Sequence, residues 1–218
     1  AEAAALCRDQ GALLHVDGVQ AAGRIGLSLA ALGADSLAIS GHKLGGPKGA
    51  GALLLRPGLS LPAMVAGGGQ ERGRRGGTEA LPALAGMAAA AGAARPEAAA
   101  RLAALRDAIE AGCLAQGARV AGAGAPRLPN TTSLVLPGVP AETQVIALDL
   151  AGVRVSAGAA CSSGKVGRSH VLAAMGLGPD AGCAIRVSLP WDAPADAADR
   201  FVAAWGAMRG RLARDAGL

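Results

Sequence analysis

The sequence predicts an α/β fold in which helices and crossovers separate the short, buried strands of one sheet. Apolar runs at 13–16, 36–39 and 52–55 alternate with helix-like segments, as they do in such folds. The hydrophobic fraction of 51% against a charged fraction of 17% is enough to bury a sizeable core. Because ligands of such sheets gather at strand ends, Asp17 and Lys43 are candidate site residues.

In the first part of the chain, residues 2–10 are predicted to be helical and to stop at Gly11. The run at 13–16 is predicted to be a buried strand that ends at Asp17. Thr78 is the predicted N-cap of a buried helix that extends to about residue 94.

We place a domain boundary near residues 95–100, and the pattern changes after the helix that follows it. Pro96 is predicted to open a helix at 97–114. The further predicted elements are strands at 132–136, 153–155 and 184–189, a helix at 141–150, a Gly/Ser-rich loop at 156–168, another helix, and a final helix from about residue 194. The predicted domains are therefore residues 1–97 and a smaller α/β domain at 98–218.

The composition excludes several classes of function. The net charge of +5 comes from dispersed basic residues, apart from Arg72, Arg74 and Arg75, and only three residues are aromatic, so a nucleic-acid-binding surface is not predicted. No run reaches the roughly 18 uninterrupted apolar residues of a membrane helix. The four cysteines have neither zinc-ligand spacing nor the context of a disulfide framework, so we expect no metal site and a reducing, cytoplasmic location.

The segment 40–49, SGHKLGGPKG, is the most informative in the chain. Lys43 follows a predicted strand and stands among glycines, which suits a lysine whose amine binds the aldehyde carbon of a cofactor. Small neighbours would let a planar ring approach the backbone. One alternative is a surface turn with two basic residues, and a second, a phosphate-binding P-loop, does not fit the spacing. The P-loop pattern fails at Lys48, because Gly49 follows it where Ser or Thr is required.

Asp17 is a second candidate, since a pyridinium nitrogen needs a carboxylate partner to stay protonated. The alternative is an aspartate that caps a turn at a strand end. His15 is interpreted as a core histidine rather than a catalyst. The combination of Asp17, Gln20, Ser40, His42 and Lys43 favours the cofactor site.

Several segments, in order along the chain, resemble the class V group of fold-type I pyridoxal-phosphate enzymes, and more narrowly the NifS-like cysteine desulfurases. They are HVDGVQ at 15–20, SGHK at 40–43, GGGQER at 67–72, GTE at 77–79, SAGAACSS at 156–163, SHVL at 169–172 and IRVSL at 185–189. The resemblance implies that residues 1–97 are part of an incomplete large domain with a mixed sheet. It implies that the chain corresponds to the C-terminal half of a family member.

The resemblance also implies a cofactor, pyridoxal 5′-phosphate, and a role for each matching residue. Lys43 would bind the cofactor covalently, Asp17 would pair with its ring nitrogen and Gln20 with its ring hydroxyl. Ser40 and His42 would bind its phosphate, with Thr78 reaching it from the partner subunit of a homodimer. Arg186 would bind the carboxylate of the substrate L-cysteine.

Cys161 would take the sulfur as a persulfide, release L-alanine and pass the sulfur to an acceptor or cluster scaffold protein for iron–sulfur cluster assembly or thiolation. A Gly/Ser-rich loop suits a thiol that collects sulfur in one place and delivers it in another. The alternative is a small buried hydrophobe, which is how we interpret Cys7, Cys113 and Cys183.

Three other functions are compatible with these residues. The first is a related class V enzyme such as a selenocysteine lyase or an aminotransferase-like enzyme, which would not need Cys161. The second is a truncated non-catalytic paralogue that docks on sulfur-transfer partners. The third is an anion-binding module that uses the Gly-rich loops and the arginine cluster.

Overall fold

The computed structural model describes residues 2–157 and 168–215, which fall into two compact units, Ala1–Glu97 and Ala98–Leu218. Both units combine helices with a β-sheet, so the predicted α/β class is confirmed. Among the described residues, no helix has the length and apolar character needed to cross a membrane.

The first unit is built around a mixed three-stranded sheet. Its strands are β1 (His15–Asp17), β2 (Ser36–Ser40) and β3 (Gly51–Leu55), in that order, with β1 parallel and β3 antiparallel to β2. Its helices and helical turns are α1 (Glu2–Asp9), α2 (Leu29–Leu32), α3 (Gly41–Leu44), α4 (Gln70–Gly73) and α5 (Leu81–Ala93). The mixed sheet agrees with the prediction.

Several predictions about burial in this unit are wrong. Strand β1 is at most half-buried and β3 is largely exposed, with Leu53 52% accessible, because little of the described chain covers the faces of these strands. In α5 only Met87 is buried. His15 is exposed and hydrogen-bonds Ser36 through Nδ1 at 2.8 Å, so it is not a core histidine.

Local boundaries also differ from the predictions. Helix α5 begins at Leu81, and its N-cap position is held by Ala80 without a side-chain hydrogen bond, so Thr78 is not its N-cap. Residues 153–155 are not a strand, since the pairing along this segment occurs one step later, at Ser156–Ala157. The bounds of a strand depend on the residues with which it pairs, and an apolar run alone does not show which residues those are.

The second unit carries a four-stranded antiparallel sheet in the order β4-β5-β7-β6. These strands are β4 (Arg119–Val120), β5 (Thr131–Val135), β6 (Ser156–Ala157) and β7 (Ala184–Ser188), and the helices are α6 (Ala99–Leu114), α7 (Ala141–Leu150), α8 (His170–Ala174) and α9 (Ala197–Asp215). Short 3₁₀ turns lie at Pro96–Ala98 and Gly178–Gly182.

The main hydrophobic core lies under one face of this second sheet. Side chains alternate across the strands, so Leu134, Ile185 and Val187 face the core and are at most 6% exposed. Trp205 of α9 is fully buried in the same cluster, with its ring 6.1 Å from that of Phe201. The opposite face carries a smaller buried cluster of Val135, Cys183 and Ala184 beside polar residues such as Ser133 and Arg186.

An ion pair between Arg127 and Glu110 connects the segment before β5 to α6. Arg127 donates to both carboxylate oxygens of Glu110, at 2.6 and 3.1 Å. Burial alone would raise the pKa of Glu110, but the hydrogen bonds and charges around it, chiefly those of Arg127, outweigh burial and lower it. The pair therefore stabilises the ionised carboxylate inside the unit.

Candidate active site

Two predicted site segments lie at one edge of the first sheet. Strands β1 and β2 run parallel, with Asp17 opposite Ala38, and the backbone N–H of Gly18 donates to the carbonyl of Ala38 at 2.9 Å. Both strands therefore end at the same edge. Asp17 terminates β1, and Lys43 stands in the turn α3 that follows β2 directly. This edge is where an α/β sheet places its ligand chemistry.

A hydroxyl and an imidazole lie beside Lys43. Ser40 Oγ and His42 Nδ1 are 2.8 Å apart and hydrogen-bond each other. Ser40 and Lys43 are half-buried, whereas His42 is exposed. This short turn thus presents a hydroxyl, an imidazole and an amine, a set suited to an anionic ligand with a reactive carbonyl.

Glycines allow α5 to press directly against this turn. A Cβ atom on Gly41 would lie 3.1 Å from the Ala50 carbonyl oxygen and from Met87 Cβ. A Cβ on Gly86 of α5 would lie only 2.4 Å from Pro47 Cδ. Any larger residue would have to displace the turn, so the position of Lys43 depends on these close contacts.

The neighbourhood of Asp17 is ordered by local hydrogen bonds. The backbone N–H of Val19 donates to Asp17 Oδ1 at 3.0 Å, which fixes the carboxylate at the strand end. Arg24 donates to the carbonyl of Gln20 at 2.7 Å, and burial lowers the pKa of its guanidinium. The side chains of Asp17 and Gln20 are exposed, so both are accessible to a ligand.

Thr78 follows a loop that closes on itself. The N–H of Gly76 donates to the Val65 carbonyl at 2.6 Å, and the N–H of Gly77 donates to Gln70 Oε1 at 3.2 Å. Glu71 and Arg72 adopt left-handed conformations, with φ of 51° and 58°, which cost non-glycine residues of the order of 1–3 kcal/mol each. The loop presents Thr78 as an exposed residue.

Arg186 lies in the second unit, on β7, and lines a cavity of about 240 Å³. The other lining residues are Thr131, Ser133, Ala141, Ser169, Val171, Leu172, Ala181, Gly182, Ala184 and Ile185. Arg186 is half-buried and is the one charged side chain among the lining residues that the structure describes, so the cavity is suited to a small anion.

Cys161 lies outside the described residues, which stop at residue 157 and resume at 168. The described ends of this gap are close to the cavity, since Ser156 pairs with Arg186 and Ser169 lines the cavity wall. Cys113 and Cys183 are buried, in agreement with the interpretation, but Cys7 is only half-buried. Burial raises the pKa of the Cys113 thiol to about 12, which keeps it protonated and unreactive.

The structure thus brings Asp17, Ser40, His42 and Lys43 to one sheet edge and places Arg186 in the cavity of the other unit. Sequence reasoning missed the contact made by Gly86, although a glycine inside a helix is a recognisable signal of close packing. It also missed Ser133, whose relation to Arg186 depends on strand register.

Comparison with known proteins gives a consistent group of relatives. The family described as aminotransferase class-V matches residues 1–201. A cysteine desulfurase from Rhodobacter capsulatus is 47% identical over 171 residues, which are 77% of this chain and 44% of that protein. A cysteine desulfurase from Gluconacetobacter diazotrophicus is 44% identical over 177 residues, which are 79% of this chain and 44% of that protein.

The solved structure of a NifS-like protein from Rickettsia africae superposes with a TM-score of 0.84 at 32% identity. The superposition covers 96% of this chain and 57% of the other. The chain therefore spans about half the length of the relatives that it matches. That the matching part is their C-terminal half stays a prediction.

Proposed function

Because the chain belongs to the aminotransferase class-V family, we propose that it is part of a cysteine desulfurase dependent on pyridoxal 5′-phosphate. Its substrate is L-cysteine, and its products are L-alanine and a sulfur atom carried by Cys161. The observation that carries the proposal is the shared edge of β1 and β2, where a carboxylate, a hydroxyl–imidazole pair and a lysine follow two adjacent parallel strand ends. The names of the two relatives support the same activity.

The residues at this edge fit the chemistry of the cofactor. Lys43 supplies the amine for the cofactor aldehyde, Asp17 a carboxylate for its ring nitrogen, and Gln20 an amide for its ring hydroxyl. Ser40 and His42 supply donors for its phosphate. The absence of a side chain at Gly41 leaves room for the tight turn that carries them. When bound, pyridoxal phosphate supplies an electron-withdrawing ring that stabilises negative charge on the substrate.

The remaining residues handle the substrate. Arg186 binds the carboxylate of L-cysteine with its planar pair of donors. The Cys161 thiolate attacks the substrate sulfur: an S–S bond forms, the C–S bond breaks, and the carbon keeps that electron pair and takes up a proton. The organic product is L-alanine, and the sulfur stays on Cys161 as a persulfide.

We further propose that the protein acts as a homodimer in the cytoplasm. In that dimer Thr78 reaches the cofactor phosphate of the partner subunit, which its exposed position after the closed loop permits. The persulfide is then passed to an acceptor or cluster scaffold protein. Chemical cross-linking of Thr78→Cys chains would test the dimer.

The function is tested by the visible absorbance of the chain with added pyridoxal phosphate, before and after L-cysteine, with an alanine assay. We expect a cofactor band that changes with cysteine, together with alanine formation. Lys43→Ala should abolish both, whereas Lys48→Ala, an exposed lysine of the same segment, should leave both unchanged. Cys161→Ser should bind cofactor and substrate normally but release no sulfide.

Two results would contradict the proposal. If Lys43→Ala forms the same visible band as the unaltered chain, Lys43 does not hold the cofactor. If Cys161→Ser still releases sulfide, the role of Cys161 is wrong, and a class V enzyme that does not need this thiol becomes the better description.

A further inference from the structure

A row of polar side chains crosses the second sheet on the face away from the core. The register places Ser133 of β5 opposite Arg186 of β7, and Ser156 of β6 opposite Arg186 from the other side. Directly opposed residues project from the same face, with Cβ atoms about 4.5–5.5 Å apart. Arg186 is therefore flanked by one serine on each neighbouring strand.

Of the two serines, Ser133 also lines the cavity that contains Arg186. Ser133 and Arg186 are both half-buried, and most of the remaining wall is apolar, with Ile185, Leu172 and Val171 among its residues. A hydroxyl and a guanidinium thus face one small, mainly apolar space. An anion entering this space would lose water and would need donors from both groups.

We propose that Ser133 is a specificity-determining residue whose hydroxyl donates a hydrogen bond to the substrate carboxylate held by Arg186. The inference rests on the proposed function and adds to it a residue that selects for α-carboxylates. A carboxylate has about four acceptor positions, and a two-pronged contact with arginine occupies only two of them. The serine hydroxyl supplies a further donor from the adjacent strand.

The selectivity follows from the cost of unpaired polar groups. A site built to pair a carboxylate rejects an otherwise similar amine, because Ser133 and Arg186 would then lose water without gaining a partner. The expected loss on removing the hydroxyl is about tenfold in affinity, equivalent to about 1.4 kcal/mol. The loss should be confined to ligands that carry the carboxylate.

In the test, L-alanine and, separately, ethylamine are titrated into the ¹⁵N-labelled chain in the presence of pyridoxal phosphate, and the affinity for each is measured. Ethylamine has the amine but no carboxylate. Ser133→Ala should weaken L-alanine binding about tenfold and change ethylamine binding by less than about twofold. Ser133→Thr, which keeps a hydroxyl, should restore most of the affinity. Ser188→Ala is the matched control, because Ser188 lies on the same strand and face as Arg186 but does not line the cavity.

The inference is overturned if Ser133→Ala binds L-alanine as tightly as the unaltered chain, or loses affinity equally for both ligands. It is also overturned if the unaltered chain does not prefer L-alanine to ethylamine, because no carboxylate site then exists at Arg186. These results leave the desulfurase proposal to its own readouts, the cofactor band with Lys43 and sulfide release with Cys161, so the two failures are distinguishable.

Discussion

Replacing Gly86 by alanine tests whether α5 holds the lysine turn in place. A Cβ at this position would lie 2.4 and 2.5 Å from Cδ and Cγ of Pro47, which follows Lys43 by four residues. Carbon atoms pack at about 3.5–4.0 Å, so the contact is too short by about 1 Å. The proline ring cannot rotate away, and the turn or the helix must move.

The expected effect is the difference between two opposing contributions. Alanine is favoured over glycine in a helix by up to about 1 kcal/mol. Overpacking costs about 1–3 kcal/mol, and the short distance to a rigid ring indicates the upper part of that range. We therefore expect Gly86→Ala to destabilise the first unit by about 2 kcal/mol and to weaken the cofactor binding proposed for Lys43.

The same helix offers a control of opposite sign. Gly92 is exposed, and nothing lies within 4 Å of its added Cβ. Gly92→Ala should therefore stabilise by about 0.5–1 kcal/mol, since only the helix propensity changes. Urea unfolding followed by circular dichroism, with hydrogen exchange of the α5 peptides, measures both variants. If Gly86→Ala stabilises as Gly92→Ala does, α5 does not press on the lysine turn.

Two further predictions concern the Glu110 ion pair and the reactivity of the cysteines. Glu110→Gln should destabilise the chain by about 2 kcal/mol at pH 7, and this difference should shrink below about pH 5, because the lowered pKa of Glu110 gives stability that is lost when the carboxylate is protonated. Urea unfolding at a series of pH values measures the difference, with the exposed Glu142→Gln as control. A difference that does not depend on pH would contradict the prediction. Iodoacetamide at pH 8 should alkylate the half-buried Cys7 before Cys113, and should reach Cys113 only in urea, because burial raises the pKa of the Cys113 thiol to about 12. Peptide mass spectrometry measures the rate at each cysteine. Equal rates at Cys7 and Cys113 in the folded chain would refute the prediction that Cys113 is buried and unreactive.

The sequence was sufficient to predict the class of the fold and the position of Lys43 directly after a strand. The α/β class with a mixed sheet is confirmed, and the likeness to a NifS-like structure confirms fold type I. Strand β2 and helix α7 lie where the apolar patterns placed them. These features are local: a strand end and a glycine-flanked lysine can be read from neighbouring residues alone.

Burial could not be predicted from the same patterns. The apolar run at 13–16 and Leu53 of β3 read as core, yet β1 is at most half-buried and β3 is largely exposed. An apolar side chain is buried only where another element covers it, and that depends on residues far away in sequence.

The sequence by itself predicted which groups carry the proposed chemistry: a lysine after one strand, a carboxylate after another, and an arginine on a third. Only the tertiary structure decided what stands beside them. The parallel pairing of β1 and β2 brings Asp17 to the same sheet edge as Lys43, and the register of β5 and β7 puts Ser133 opposite Arg186. A shift of register by one residue would turn Ser133 toward the core, because strand side chains alternate between the two faces of a sheet.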